Sequence, residues 1–283
     1  MTNRLRIRTM RVEDIPLGMR LSEQAGWNQS EGDWKRFLAL QPDGIWVAEV
    51  DGEGVATTAA FIFDNVAWIA MVLVDPLHWG RGIATSLLKH AIAWLDSLGV
   101  TTVKLCATPQ GRRIYERLGF VAEGEVQRFE GRPLSRAALI PAVRLDDANR
   151  LAEIFDLDRK ATGINRQKML QLLFPEAGVI FLGTIPDGRL SGYVMVRPGA
   201  RATQIGPCVA LDDLSGTSLL HAVALCASGA PVFVDIPCEN DAACTWAREA
   251  GLTVQRSFTL MRLGAPISEN IRQLWALSGP EKG

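Results

Sequence analysis

A chain of 283 residues, 48% hydrophobic and 22% charged, is long enough for two ordinary domains with a core in each. Lysine and arginine number 30 against 31 aspartate and glutamate, a balance that gives no general attraction to nucleic acid or to an anionic membrane. Five cysteines with no C-x-x-C pair and three scattered histidines predict reduced thiols and no metal site.

Leu5–Arg8 reads as a short strand, followed by a helix that Glu13 and Asp14 open with favourable negative charge. Ala25-Gly26-Trp27-Asn28 breaks that helix. Ser30 with Asp33 three positions on predicts a capping box for a second helix through Leu40. Strands follow at Ile45–Val50, Val55–Phe63 and Val66–Val74, the first two joined by the turn Asp51-Gly52-Glu53-Gly54. The third is almost wholly apolar, as a strand covered on both faces should be. Gly80-Arg81-Gly82 leads into a long helix with Ile83, Leu87, Leu88, Ala91, Ile92 and Leu95 at helical spacing, closed by Gly99. Thr101–Ala107 reads as a strand, Gln110–Leu118 as a helix and Phe120–Phe129 as the closing strand. Leu134–Ala138 reads as the passage to a second half. Met1–Met10 holds three arginines and no apolar run, and the longest apolar stretches, Val66–Val74 and Leu219–Ala227, are too short to span a bilayer. A cytoplasmic protein without membrane or nucleic-acid partners is the expectation.

The second half repeats the first. Ala84-Thr85-Ser86-Leu87-Leu88 matches Gly216-Thr217-Ser218-Leu219-Leu220 at an offset of 132 residues, and Leu118-Gly119-Phe120 matches Ala250-Gly251-Leu252 at the same offset. Arg11-Val12-Glu13-Asp14 is echoed by Arg144-Leu145-Asp146-Asp147, and the turn at Asp51-Gly52 by Pro186-Asp187-Gly188. Two anchors at one offset in matching contexts predict a duplicated fold.

Val72-Leu73-Val74-Asp75-Pro76-Leu77-His78-Trp79-Gly80-Arg81-Gly82-Ile83-Ala84-Thr85 runs from a buried strand through a glycine turn into a helix. Converging turn amides and a helix start favour an anion such as pyrophosphate, and Gly80 and Gly82 allow close backbone approach. Alone, such a loop is equally a tight connection. About thirty residues later, Ile114-Tyr115-Glu116-Arg117-Leu118-Gly119-Phe120 ends a helix and starts a strand. Together the two stretches resemble the signatures of the GNAT acetyltransferase superfamily, Gln/Arg-x-x-Gly-x-Gly/Ala and Tyr-x-x-x-Gly-Phe, and the resemblance covers roughly residues 4 to 130. It implies a mixed α/β fold in which acetyl-CoA enters a gap beside the strand before the loop. The edge Val72, Leu73, Val74 would pair with the pantetheine arm, and Trp79, Gly80, Arg81, Gly82, Ile83, Ala84 and Thr85 would form the donor loop. Tyr115 would protonate the departing thiolate.

The sequence departs from the pattern at two places. Trp79 stands where Gln or Arg is usual, a change tolerable where backbone amides bind the pyrophosphate. Thr108-Pro109 replaces the Asn seven residues before Tyr115 that usually contacts pantetheine. Val66–Val74 has no carboxylate to act as base; Asp64, Glu31 and His78 are the candidates, each equally readable as a solvated or turn residue. Trp27 and Asn28 lie where the family's helix-helix loop lines the acceptor pocket. In the second copy Gly80-Arg81-Gly82 maps onto Asp212-Asp213-Leu214 and Tyr115 onto Ala247, so the donor machinery is lost, although Asn240-Asp241-Ala242-Ala243 keeps the Asn-x-x-Ala spacing. Arg197-Pro198-Gly199 and Ile205-Gly206-Pro207 read as turns of that copy. The expected protein is a tandem of mixed, largely antiparallel sheets flanked by helices, with a catalytic domain over 1–136 and a degenerate copy over 137–283. It would transfer acetyl from acetyl-CoA to an amine of a small molecule or peptide in a ternary complex, without metal, as a monomer or homodimer. The alternatives are a tandem transferase with another acyl donor and a non-catalytic acyl-CoA-binding regulator.

Overall fold

Ser30 caps the second helix as predicted: its hydroxyl accepts from the Asp33 amide while the Asp33 carboxylate accepts from the Ser30 amide. The computed structural model describes residues 5–145, 148–174, 178–227 and 229–283. The first half runs β1 (Leu5–Thr9), α1 (Ile15–Gln24), α2 (Glu31–Leu40), β2 (Ile45–Val50), β3 (Glu53–Phe63), β4 (Val66–Val74), α3 (Ile83–Ser97), β5 (Thr102–Ala107), α4 (Pro109–Arg117) and β6 (Val121–Gly131). The second repeats that order: β7 (Ala142–Arg144), α5 (Leu151–Thr162), α6 (Gln167–Leu173), β8 (Ile180–Thr184), β9 (Gly192–Arg197), β10 (Thr203–Ala210), α7 (Asp213–Cys226), β11 (Val232–Pro237), α8 (Asp241–Glu249) and β12 (Thr253–Gly264). A further short strand, β13 (Leu274–Ala276), has no counterpart in the first half.

The repeat extends to backbone detail. Asp51 and Gly52 turn between β2 and β3 with φ of 53° and 89°, and Asp187 and Gly188 turn between β8 and β9 with φ of 55° and 80°. Such paired left-handed residues suit a tight antiparallel turn. Of the echo at Arg144–Asp147, Asp146 and Asp147 lie outside the described residues. One expectation is corrected: Ile205-Gly206-Pro207 is no turn but lies inside β10, where the ladder with β9 shifts register. The carbonyl of Leu277 lies only 1.9 Å from where a Cβ on Gly206 would stand, so the glycine admits a passing segment.

The two sheets are fused by exchange of their last strands. The order is β1-β2-β3-β4-β5-β12-β6-β11-β10-β9-β8-β7, with β13 against β10. β12 of the second half pairs with β5 of the first, from Thr259 opposite Ala107 to Gly264 opposite Thr102. β6 of the first half pairs with β11 of the second. The two exchanged strands also pair with each other from Thr253 opposite Glu130 to Arg262 opposite Val121. Helices α1, α2, α5 and α6 cover one face over a core that crosses the seam, including Trp34, Phe37, Phe61, Trp68, Ile154 and Tyr193. On the other face α3 and α4 cover the first half and α7 and α8 the second.

Buried charge fixes the seam. Arg128 on β6 donates two bonds of 2.8 Å to Asp235 on β11, and Gln204 donates a third at 3.0 Å. Asp235 is fully buried and Arg128 nearly so. Removing one partner of such a pair strands a charge in the interior. Asp235→Ala should therefore cost about 3–5 kcal/mol, read as a drop in the urea midpoint; a change within error would mean that the seam does not depend on this pair.

Candidate functional site

β4 and β5 pair in parallel only at Val66 with Thr102, Ala67 with Val103 and Trp68 with Lys104. Beyond Trp68 the two strands diverge, and the edge of β4 from Ile69 to Val74 faces an open wedge. On its other side β4 bulges: Ala59 pairs with Ala70 but Thr57 with Leu73, so Met71 and Val72 stand against Thr58. Met71 takes a φ of 52°, a conformation that costs a side-chain-bearing residue on the order of 1–2 kcal/mol. The Thr57 hydroxyl holds it by donating to the Met71 carbonyl at 2.9 Å. The bulge turns Val72, Leu73 and Val74, the predicted pairing edge, along the wedge.

The loop after β4 is built as a cradle. Asp75 accepts from the Leu77 amide at 3.0 Å and pairs with Arg20. Burial alone would raise its pKa; the Arg20 guanidinium and that amide instead hold the carboxyl below the usual range. Gly80 and Gly82 both sit at φ 75° with open space where a side chain would stand. Gly82 caps α3 without a side chain, so nothing from the cap residue competes for the amides of Ile83, Ala84 and Thr85. Ile83 is buried and anchors the helix start, while Arg81 is exposed. That leaves the positive end of a 15-residue helix facing the mouth of the wedge. Trp79 uses its indole N–H on the Val74 carbonyl at 2.7 Å, clamping loop to strand. The Val74 carbonyl is thereby spent, and the strand edge available to a ligand ends one group earlier.

Tyr115 on α4 is nearly buried, with 9% of its surface exposed. Its ring meets Phe120 edge-on at 5.9 Å. Gly111, one turn earlier, makes the room: a Cβ there would lie 3.0 Å from the tyrosine ring. Burial, and secondarily the nearby Cys106, raises the Tyr115 pKa, so the phenol keeps its proton at neutral pH. Thr108 caps α4 by accepting from the Gly111 amide at 3.2 Å. Sequence reasoning missed Thr57 and Gly111; a glycine four residues before the tyrosine in a helix was a legible sign of a close-packed ring.

The other predicted residues fall into three places. Trp27 is half-buried against the shared core. Asn28 is buried and wholly engaged: its Oδ1 accepts from the amides of Arg201 and Ala202 at 2.9 and 3.0 Å, and its Nδ2 donates to the Ala202 carbonyl at 3.0 Å. The α1–α2 loop is thus tied to the β9–β10 loop. Of the three base candidates, Asp64 sits in the β3–β4 turn at the opposite end of β4 from the loop, and Glu31 is exposed and paired with Lys35. His78 stands at the mouth, where its Nδ1 is buried without a partner.

The second half has an equivalent wedge and fills it with its own chain. β10 and β11 pair in parallel from Thr203 with Val232 to Ile205 with Val234, then part. β13 lies in the gap, antiparallel to β10. Asn240 caps α8 and also donates to the carbonyls of Arg272 and Leu274 at 2.9 and 3.2 Å, holding that segment. Trp275 is fully buried against Gly216 in the first turn of α7. Asp212 caps α7 through the Ser215 amide at 2.8 Å, which puts negative charge where the first half leaves amides open.

Residues 14–120 match the acetyltransferase (GNAT) family, and residues 154–276 match an acetyltransferase (GNAT) domain. The uncharacterized N-acetyltransferase YitH of Bacillus subtilis (strain 168) is 26% identical over 229 residues, 78% of each chain. The holothin acyltransferase of Pseudoalteromonas sp. (strain SANK 73390) is 26% identical over 215 residues, 75% of this chain and 71% of that one. An acetyltransferase-like structure from Pyrococcus horikoshii has the same fold at TM-score 0.86 and 24% identity, covering 99% of this chain and 96% of that one. A tandem GNAT protein from the clavulanic acid biosynthesis pathway shares it at TM-score 0.67 and 15% identity, covering 94% and 100%.

Gly82→Glu should weaken acetyl-CoA at least tenfold, about 1.4 kcal/mol, by setting a carboxylate at the helix start. Calorimetry checks this; unchanged affinity in a variant with an intact circular dichroism spectrum would remove the loop from the donor site.

Proposed function

This chain belongs to the GNAT acetyltransferase superfamily and is an acyltransferase, and on that premise we propose that its first half transfers acetyl from acetyl-CoA to an amine of a small molecule or peptide. The observation that carries this is the parting of β4 and β5 beyond Trp68, with the Gly80–Thr85 cradle following directly on β4 and Tyr115 on the helix that follows β5. Pantetheine would lie along Val72 and Leu73, with the pyrophosphate on the amides of Arg81 to Ala84. The amine nitrogen attacks the thioester carbonyl, the C–S bond breaks, and the CoA thiolate takes the Tyr115 proton. The amide product then gives up its extra proton to solvent, by way of water or of His78 at the mouth, and the Tyr115 phenolate takes a proton back from solvent. Trp27 would border the acceptor, and Asn28 would position the loop that carries it.

We assign the donor site to residues 1–136 and a structural and acceptor-shaping role to 137–283. The β13 segment supports this division, because it occupies the equivalent gap in the second copy. Acetyl-CoA should accordingly saturate near one equivalent per chain in a calorimetric titration. Two equivalents would mean that β13 leaves its wedge to a ligand. Among the described residues no helix is long and apolar enough to cross a membrane, and no group of three or more His, Cys, Asp or Glu gathers as a metal site would require.

Tyr115→Phe keeps the ring and its packing and removes the proton donor. Single-turnover transfer at saturating acetyl-CoA should slow on the order of 10²–10³-fold, with acetyl-CoA affinity little changed. A wild-type rate for the chemical step would take Tyr115 out of the mechanism.

A further inference from the structure

The segment that follows β13 leaves the second half and packs against the first half's wedge. Leu277 anchors it: the Leu277 amide donates to the Asp235 carbonyl at 2.8 Å. The chain then turns at Gly279, with a φ of 131°, into the core beneath α1 and α2. There the Trp68 indole donates to the Pro280 carbonyl at 3.0 Å, and a Cβ on Gly283 would stand 2.7 Å from the same ring. Lys282 Nζ lies 4.9 Å from the centre of the Phe37 ring. Trp68 is the last residue of β4 paired with β5 before the two strands part. Ile83 and Tyr115 belong to the core on the opposite face. The segment therefore stands at the vertex of the wedge, on the side that the donor cradle leaves to an acceptor.

Its composition does not suit a permanent core. Ser278-Gly279-Pro280-Glu281-Lys282-Gly283 has no apolar side chain but the proline, yet Glu281 and Lys282 are each only 3% exposed. Such residues are almost never buried so fully unless paired. Burial pushes the Lys282 ammonium down to about 8. The pairing strands no charge if the segment withdraws. Glu281 and Lys282 meet each other at 2.6 Å and leave as a neutral couple. Arg197, which donates to Glu281 at 3.0 Å, keeps Asp33 at 2.6 Å. Arg166, which donates to the Gly283 carbonyl, keeps both carboxylate oxygens of Asp158. The seam pair Arg128–Asp235 is the opposite case, since loss of either partner leaves a buried charge alone. The segment's main-chain bonds are largely its own: the Ser278 amide donates to the Gly283 carbonyl at 2.8 Å, and the amides of Lys282 and Gly283 to the Gly279 carbonyl at 3.1 and 3.2 Å. Its fit is imperfect, because Arg197 Nε and Ser278 Oγ are buried with no hydrogen-bond partner among the described residues. Pro280 alone among the six is partly exposed, which marks where the segment reaches the surface.

We propose that residues 278–283 are a built-in stopper for the acceptor side of the first half, one that swings out at Gly279 as a unit when an amine-bearing acceptor takes its place. The proposal rests on the acetyl-transfer reading for the identity of that side. The space the stopper fills is bounded by Trp68, Phe37, Arg197 and Arg166, and suits a polar acceptor of short-peptide size. While the stopper is docked the acceptor cannot enter, so its apparent affinity is reduced by the fraction of chains in which the segment is withdrawn.

The test compares the full wild-type chain with full-length Gly283→Val, whose side chain has no room beside the Trp68 ring and so drives the segment off it. The probe is the peptide Ser-Gly-Pro-Glu-Lys-Gly with an N-terminal fluorophore. By fluorescence anisotropy the variant should bind this peptide about tenfold or more tighter than the wild type does. Amide hydrogen exchange over 279–283 should be faster in the variant than in the wild type. With putrescine, glycylglycine and lysine as amines, the variant should show a KM about tenfold lower for the best of them, with acetyl-CoA affinity unchanged, and the unlabelled peptide should compete with that amine. A variant with faster exchange but no gain in peptide affinity, an unchanged amine KM, or a peptide that does not compete would overturn the proposal. So would loss of cooperative melting in Gly283→Val, which would make the segment a fixed part of the core. Peptide capture and exchange are read without turnover, so failure of every amine as a substrate would count against the acetyl-transfer reading, while those two measurements still decide whether the segment withdraws.

Discussion

β12 occupies the slot beside β5, and the continuity of the whole sheet depends on that placement. Had each half kept its own last strand, β6 would lie against β5 and the two sheets would end in separate edges. With the strands exchanged, the neighbour of β5 on the side away from the gap is β12, over Thr259 to Gly264. A continuous ladder runs through the seam from β4 to β11. The second half thus supplies a sheet neighbour to the first by covalent topology.

The same seam explains the unusual amount of interior charge. Lys104 is buried on β5 and gives 2.8 Å bonds to both carboxylate oxygens of Glu269, while Arg197 on β9 meets Asp33 on α2 at 2.6 Å. Arg166 is held by Asp158 within the second half. Buried pairs contribute little net stability against apolar residues of the same size. They do penalise every register but one, because any slip leaves a charge unpaired in the interior. For two homologous sheets, whose strands are alike enough to mispair, that penalty discriminates between the exchanged and unexchanged arrangements.

The elements of the first half were legible from periodicity and turn chemistry and those of the second only through its repeat of the first, and the capping box at Ser30 and the paired turns at Asp51 and Asp187 lie where the sequence puts them. The exchange was not legible. β6 and β12 share the same pattern, and either would satisfy the apolar demand of β5, so the choice rests on side chains such as Asp235 and Glu269 that are distant in sequence. In the site, Gly80, Gly82 and Tyr115 stood out because glycine spacing and a motif carry backbone geometry. Met71 did not, because a bulge in a uniformly apolar strand changes no residue type. Asn28 read as a pocket residue from its position in the loop, yet its amide is spent on the β9–β10 loop, a contact across more than 170 residues. That the start of α7 differs from that of α3 was visible at Asp212 and Asp213, while β13, which fills the second wedge, belongs to a segment beyond the repeat.

The exchanged strands also set a timetable for synthesis. β5 is complete once residue 107 has left the ribosome, but its partner begins at Thr253. At roughly 5–20 residues per second, the open edge of β5 and the long strand β6 wait on the order of ten to thirty seconds for their neighbours. β5 is apolar on the face of Val103, Leu105 and Ala107, and an unpaired edge of that kind invites a second nascent chain. The first half therefore finishes folding only when nearly all of the protein exists, and the interval before that is when chaperones have most to cover.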